Sequence, residues 1–285
     1  MAGNAASTDK AVAIVTGAGS GIGAATARLL AEKGMVVALV GRREEKLTEV
    51  AVDIEAAGGE AMVLPADLAK ASAPGEVVDR VLSRFGRIDV LINNAAGLVA
   101  KPFDQFTLAE FDEQVATNIR SVFFLIQAAL PALRRSPAPA IVNLGSSVGS
   151  WVRVDNALYS LTKAAVEHLT RCLAAELAAD GIRVNAIAPG PCATSILTTL
   201  GDDINKVHEE LTSTVALGRM GEPEELAWWI VQLVDPHAAW VTGAVIPVDG
   251  GQTLGVGRRF LPDTLHPPGR PQGSPPRSTP PPPLQ

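Results

Sequence analysis

Aromatic side chains are scarce in this chain, at 4%, and it has one tyrosine, two cysteines and four histidines among 285 residues. Cys172 and Cys192 are unclustered, which fits a reducing cytosol and shows no metal-site spacing. His168, His208, His237 and His266 are scattered in the same way. A formal charge of -6 and a pI near 5.3 argue against nucleic acid or an anionic membrane as the main partner. Lys, Glu, Gly and Pro interrupt every apolar run before it reaches the ~18 residues of a membrane span. The first nine residues lack both a basic start and a long apolar core, so a cytoplasmic protein is expected rather than a secreted one.

The one tyrosine is the informative residue. Tyr159 and Lys163 stand four apart in Tyr-Ser-Leu-Thr-Lys, inside a stretch rich in Ala and Leu and free of Gly and Pro over 156–177. Such a stretch predicts a helix, and positions i and i+4 share a helix face. An ammonium beside a phenol favours the phenolate and lowers the tyrosine pKa from its usual ~10. That makes Tyr159 a candidate general acid or base. His168, nine residues past Tyr159, falls on a different face and reads as structural or surface. Thirteen residues before Tyr159, Ser146 closes Ala-Ile-Val-Asn-Leu-Gly-Ser, a short buried strand with a hydroxyl at its end.

Near the N-terminus an apolar strand runs into Thr16-Gly17-Ala18-Gly19-Ser20-Gly21-Ile22-Gly23 and then a helical stretch. Gly17 permits a tight turn, and Gly21 and Gly23 are expected to let backbone approach a pyrophosphate at a helix N-terminus. Apolar runs at 11–16, 35–40, 61–64, 89–92, 140–144, 183–187 and 245–248 read as buried parallel strands. Helical patterns fill 24–33, 44–57, 74–84, 108–134, 156–179 and 223–234. This alternation predicts an α/β doubly wound Rossmann fold, a parallel sheet of about seven strands with helices on both faces. Thr16, Asn93, Ser146 and Pro189 all fall just past strand ends, where such sheets bind ligands. Residues 1–257 are expected to form one dinucleotide-binding catalytic domain. Residues 258–285 read as a Pro-rich, disordered tail with too little apolar surface to offset ordering entropy.

Together these residues resemble the short-chain dehydrogenase/reductase family from about 12 to 253. Thr16, Gly17, Ser20, Gly21, Ile22 and Gly23 fall in its cofactor turn. Ser146, Tyr159 and Lys163 match its catalytic trio, and Asn118 falls where the family places a further catalytic Asn. Asn94 and Ala95 lie in a match to its Asn-Asn-Ala-Gly motif, and Asp67-Leu68 resembles its adenine-contacting pair. Pro189, Gly190 and Thr194 match the segment holding the nicotinamide end. Two positions depart: Ala96 replaces the motif glycine, and Gly145 stands where many relatives carry the first serine of a pair.

The resemblance implies an oxidoreductase that moves hydride between a nicotinamide and a ketone or secondary alcohol. Ser146 and Tyr159 would hold the carbonyl oxygen, Tyr159 would give the proton, and Lys163 would keep its pKa low. Thr194 and Lys163 would orient the nicotinamide, and Asn118 would support a proton-returning water. After the second strand stands Gly41-Arg42-Arg43 instead of an acid, so NADP is expected over NAD, with Arg42 on the 2′-phosphate and Arg43 on the helix surface. Ser20, where many NADP-using relatives carry a basic residue, opposes that preference.

The substrate is expected to be a sizeable, mainly apolar carbonyl or alcohol, lined by Leu98, Val99, residues 151–155 and residues 195–219. Arg153 there reads as an exposed loop residue. The similarity is to 3-oxoacyl-acyl-carrier-protein reductases and ketoreductases of secondary metabolism. An NAD-dependent alcohol dehydrogenase and a non-catalytic redox sensor or scaffold are the alternatives. A homotetramer is expected through the helices at 108–134 and 156–179 and the last strand, with Phe123, Phe124, Ile126, Ala128, Ala164, Val166, Leu169 and Leu173 as the apolar surface.

Overall fold

The computed structural model describes residues 8–194, 199 and 203–255. Among them, seven strands form one parallel sheet in the order β3-β2-β1-β4-β5-β6-β7. The strands are β1 (Val12–Thr16), β2 (Val36–Gly41), β3 (Glu60–Pro65), β4 (Val90–Asn93), β5 (Ala140–Leu144), β6 (Arg183–Pro189) and β7 (Val245–Val248). Intervening helices are α1 (Gly21–Glu32), α2 (Glu44–Ala56), α3 (Ala73–Phe85), α4 (Leu108–Val115), α5 (Ser121–Leu133), α6 (Ala157–Glu176), α7 (Ile204–Ser213) and α8 (Pro223–Val234). The chain order reverses between β1 and β4, which opens a crevice at the strand C-termini.

Alternation along each strand explains why these segments are apolar throughout. Val12 and Ile14 face one core with α3, α5 and α6, while Ala13 and Val15 face a second core with α1, α2 and α8. Both faces are covered, so neither parity can be polar. The tail from 258 onward lies outside the described residues.

Two features depart from the sequence expectation. First, α7 falls in the segment 195–219, read from sequence only as pocket wall; it buries just Val207 and Leu211, and Asp203 caps it by accepting from the Asn205 and Lys206 N–H groups. Second, the stretch expected as one helix is α4 and α5 joined by a π-turn, Ala116–Arg120. The joined run Leu108–Leu133, 26 residues, is long and apolar enough to cross a membrane. Its hydropathy is that of a core helix, because Val122, Leu125, Ile126, Ala129 and Leu133 are buried against the sheet.

At the edge opposite the crevice, Asp89 is buried and satisfied from three directions. Arg87 donates twice (2.9 and 2.8 Å), the Ser136 hydroxyl once (2.6 Å) and the Val12 N–H once (2.8 Å). Burial pushes its pKa up, but these donors outweigh burial and hold it below the usual value. A depressed folded pKa stabilises above the unfolded value of ~3.9 and is lost as pH falls through the folded one. Asp89→Ala should cost about 3 kcal/mol in a urea melt. The turnover of the folded fraction should stay unchanged, since the cluster sits at the far end of the strands; a loss below 1 kcal/mol would count against the cluster.

Candidate active site

Helix α6 carries the central side chains, and its rotation is set by buried polar contacts. Asn93 donates to Asn143 (2.8 Å), and Asn143 donates to Thr170 on α6 (3.0 Å). With that face held against the sheet, Tyr159 and Lys163 both line the crevice, as the four-residue spacing predicts. Lys163 Nζ donates to the Leu144 carbonyl (2.7 Å) and lies 5.4 Å from the Tyr159 ring centre. Ser146 lines the same cleft, and its hydroxyl acts to lower the pKa of the Tyr159 phenol. Ser146 also caps a short 3-10 turn, accepting from the Val148 N–H (3.4 Å).

The electrostatics correct one sequence expectation. Burial dominates at Tyr159 and raises its pKa above the usual value, with the Ser146 hydroxyl opposing. Burial also pushes Lys163 down to about 8, with Glu167 opposing. The lysine is committed to Leu144 rather than to the phenol oxygen, so it does not hold the resting phenol below its normal pKa. In this state Tyr159 is a neutral phenol, the protonation state a proton donor requires.

A cleft of about 750 Å³ runs along the strand ends. Gly17, Ser20, Gly21 and Ile22 line it at the first turn, followed by Arg42, Asp67 and Leu68, then Asn94 and Ala95. Pro189, Gly190 and Thr194 close the other side. Gly17 and Gly21 both have positive φ (66° and 53°), conformations that favour glycine. No side chain caps the first N–H groups of α1, and its first turn holds no acidic residue. A dinucleotide fits these residues: uncapped N–H groups for a pyrophosphate, cationic side chains at one end and the Tyr–Lys pair at the other.

Three expected contacts are not brought to the cleft. Thr16 is buried beneath it, accepting from the Asn94 and Ala95 N–H groups (2.9 and 3.0 Å) and donating to the Ile92 carbonyl (3.2 Å). Gly23 packs inward, where a Cβ would strike the Gly17 carbonyl and approach Asn94 Nδ2 at 2.5 Å. Asn118 clamps Gly97, accepting from its N–H (2.8 Å) and donating to its carbonyl (2.9 Å), and also donates to Thr162 (3.0 Å). Both its amide hydrogens are used, so its side chain is a strut. Asp67 serves a turn as well as the cleft, accepting from the Ala69 N–H (3.1 Å).

The substrate end is lined by Leu98, Val99, Gln114, Trp151, Arg153 and Leu211. Val152 and Val154 point away, 84% and 80% exposed, whereas Arg153, expected in an exposed loop, is half-buried in the wall. Ser195, Ile196, Leu197, Leu200 and Asp202 lie outside the described residues. Cys192 also lines the cleft, but burial, reinforced by Glu222, Glu224 and Glu225, pushes its thiol up to about 12, so it is no nucleophile.

Three residues were missed from sequence. Arg43 lines the cleft and donates to Ser20 (3.4 Å) instead of lying only on the helix surface. Gln114 spends its Oε1 on the Val99 N–H (3.1 Å), leaving a buried Nε2 without a partner. Glu167 accepts from the Ser146 N–H (3.2 Å), and its place one turn past Lys163 was the available signal. Ser147, next to Ser146, is tied to the C-terminal segment by donating to Gln252 (2.7 Å).

A family model described as enoyl-(acyl carrier protein) reductase matches residues 17–253. The chain belongs to the short-chain dehydrogenase/reductase family. A 3-oxoacyl-acyl-carrier-protein reductase of Staphylococcus epidermidis is 37% identical over 243 residues, covering 85% of this chain and 98% of the relative. The 2,5-dichloro-2,5-cyclohexadiene-1,4-diol dehydrogenase of Sphingobium indicum is 34% identical over 245 residues, covering 86% and 97%. Among solved structures, an actinorhodin polyketide ketoreductase variant with NADPH is 34% identical, with TM-score 0.81 over 87% of this chain and 99% of that one. This member of the family is therefore an oxidoreductase of the CH–OH/C=O type with a nicotinamide dinucleotide cofactor.

Proposed function

We propose that the protein is an NADP(H)-dependent ketoreductase acting on a 3-oxoacyl or secondary-metabolite ketone. The observation that carries the reaction is Ser146, Tyr159 and Lys163 lining one cleft, with Tyr159 a neutral phenol and Lys163 Nζ 5.4 Å from its ring centre. Bound NADPH would lie from Arg42 and Arg43 to the Tyr–Lys pair and supply the hydride. Ser146 and Tyr159 both donate to the substrate carbonyl oxygen, and Tyr159 passes its proton to that oxygen as the alcohol forms. The tyrosinate left behind is stabilised by the Lys163 ammonium near its ring and by the Ser146 hydroxyl. The lysine thus acts on the product of proton transfer rather than on the resting phenol. Tyr159→Phe should abolish ketone reduction while leaving NADPH affinity, read by fluorescence titration, nearly intact; a variant with wild-type kcat would sink the proton-transfer role.

Two features support a substrate richer than a plain hydrocarbon ketone. Leu98, Val99 and Trp151 give an apolar wall, but Gln114 Nε2 is a donor without a partner and Arg153 is a cation in that wall. Buried donors cost free energy when unpaired, so a second oxygen function on the substrate is favoured. Both cysteines are free thiols, in keeping with a cytoplasmic location.

NADP is favoured because two guanidinium groups, and no carboxylate, stand at the end of β2. Arg43, through Ser20, brings a cation to the glycine turn that carries none itself. Arg42→Ala should weaken NADPH binding more than NADH binding by about 1.5–3 kcal/mol, and Arg43→Ala should do the same more weakly. Equal losses for both dinucleotides in calorimetry would show that neither arginine reads the 2′-phosphate.

We further propose a homotetramer. The expected apolar surface is partly wrong, because Ile126 and Val166 are buried and Leu169 and Leu173 pack on the protein's own core. Two exposed apolar faces remain, one of them including Phe123 and Phe124 of the expected surface. One carries Leu108, Phe111, Phe123 and Phe124; the other carries Trp228 and Trp229 on α8 with Trp240, fully exposed, before β7. Two self-complementary faces build a tetramer of two-fold symmetry. Light scattering should give a tetramer mass, reduced to a dimer by Phe123→Asp with Phe124→Asp; a monomeric wild type would refute the assembly.

A further inference from the structure

The hydroxyl of Ser146 can meet a carbonyl only if segment 144–149 is held still, and the structure shows what holds it. Glu167 lies on α6 one turn past Lys163 and two past Tyr159, and only 5% of its surface is accessible. Its Oε1 accepts from the Ser146 N–H at 3.2 Å. The same carboxylate fills the space beside two glycines. A Cβ on Gly145 would come within 2.6 Å of Oε1, and one on Gly149 within 2.5 Å. Gly145 is the position where the family resemblance calls for serine. The missing side chain and the buried carboxylate are therefore two halves of one arrangement: the acid from α6 occupies the volume that a residue at 145 would claim.

We infer that Glu167 is a positioning residue that fixes Ser146 for the substrate carbonyl and, so placed, occupies the space a side chain at 145 would take. This rests on the ketoreductase reading of Ser146 and Tyr159. Among the described residues, the charged groups acting on Glu167 are Lys163 and Arg171, both on α6. Segment 144–149 presents only backbone groups and the Ser146 and Ser147 hydroxyls. Burial, first, raises the Glu167 pKa, and the Ser146 N–H, Arg171 and Lys163 oppose it. In turn Glu167 supports the positive charge of Lys163, whose pKa burial brings to about 8. The charged lysine is the form that stabilises tyrosinate, so reduction should fade as pH rises through that value.

The test is a double-mutant cycle between positions 145 and 167, read in melting temperature and in ketone reduction. Glu167→Ala should lower kcat about a hundredfold through loss of Ser146 placement, with NADPH affinity kept. Gly145→Ser should destabilise the wild type yet be accepted in the Glu167→Ala background, restoring part of both Tm and kcat. Glu167→Gln keeps size and an acceptor oxygen, so it should retain more kcat than Glu167→Ala. Its alkaline pH limb should move below that of the wild type. Additive effects at 145 and 167 in Tm, or wild-type kcat in Glu167→Ala, would overturn the assignment, as would an unmoved pH limb in Glu167→Gln. The Tm cycle needs no turnover. Absence of reduction toward every ketone, with the cycle intact, would overturn the ketoreductase reading and leave the Glu167–Gly145 contact standing.

Discussion

The angular setting of α6 is the constraint on which the site depends. A helix lying on a sheet can roll, and a roll of one residue would carry Tyr159 about 100° away from the cleft. Hydrophobic contacts are non-directional and resist such a roll weakly. Hydrogen bonds are directional, and α6 is gripped by several: Thr170 accepts from Asn143, and Thr162 accepts from Asn118. Lys163 and Thr170 are seven residues apart, nearly two full turns, so the bond at Thr170 fixes the direction in which Lys163 emerges. Each of these polar groups is buried, and leaving one unpaired would be costly, which makes the correct roll the favoured one.

The same logic extends to the loops. Thr16 ties the end of β1 to Asn94 and Ala95, and Asn94 returns the tie by donating to the Thr16 carbonyl (2.8 Å). Asn118 ties Gly97 to α6. The cleft is thus framed in part by Thr16 and Asn118, side chains outside its lining. A preorganised frame of this kind places donors without reorganisation at the moment of reaction.

Strand positions were legible in the sequence because a sheet covered on both faces demands long apolar runs, and all seven expected strands are present. Helix α7 was not, because it buries only two residues, and its apolar positions also suited a pocket wall. The cleft-facing placement of Tyr159, Lys163 and Ser146 was legible because spacing on a helix and placement after a strand fix direction. The inward setting of Thr16, Gly23 and Asn118 was not legible for the opposite reason: a motif gives position along the chain, and direction is decided by neighbours distant in sequence. Glu167 escaped notice because an acid on a helix ordinarily faces solvent, and only the absence of side chains at 145 and 149 makes room for it indoors.

The inward packing of Gly23 bears on how such sequences diverge. Its hydrogen faces the Gly17 carbonyl and the Asn94 amide, so the turn needs glycine there whether or not a dinucleotide ever binds. A chain that lost Tyr159 or Arg42 would still need Gly23 to keep this turn. Gly23 is in that sense a requirement of architecture, separate from any demand the side chains facing the open cleft answer.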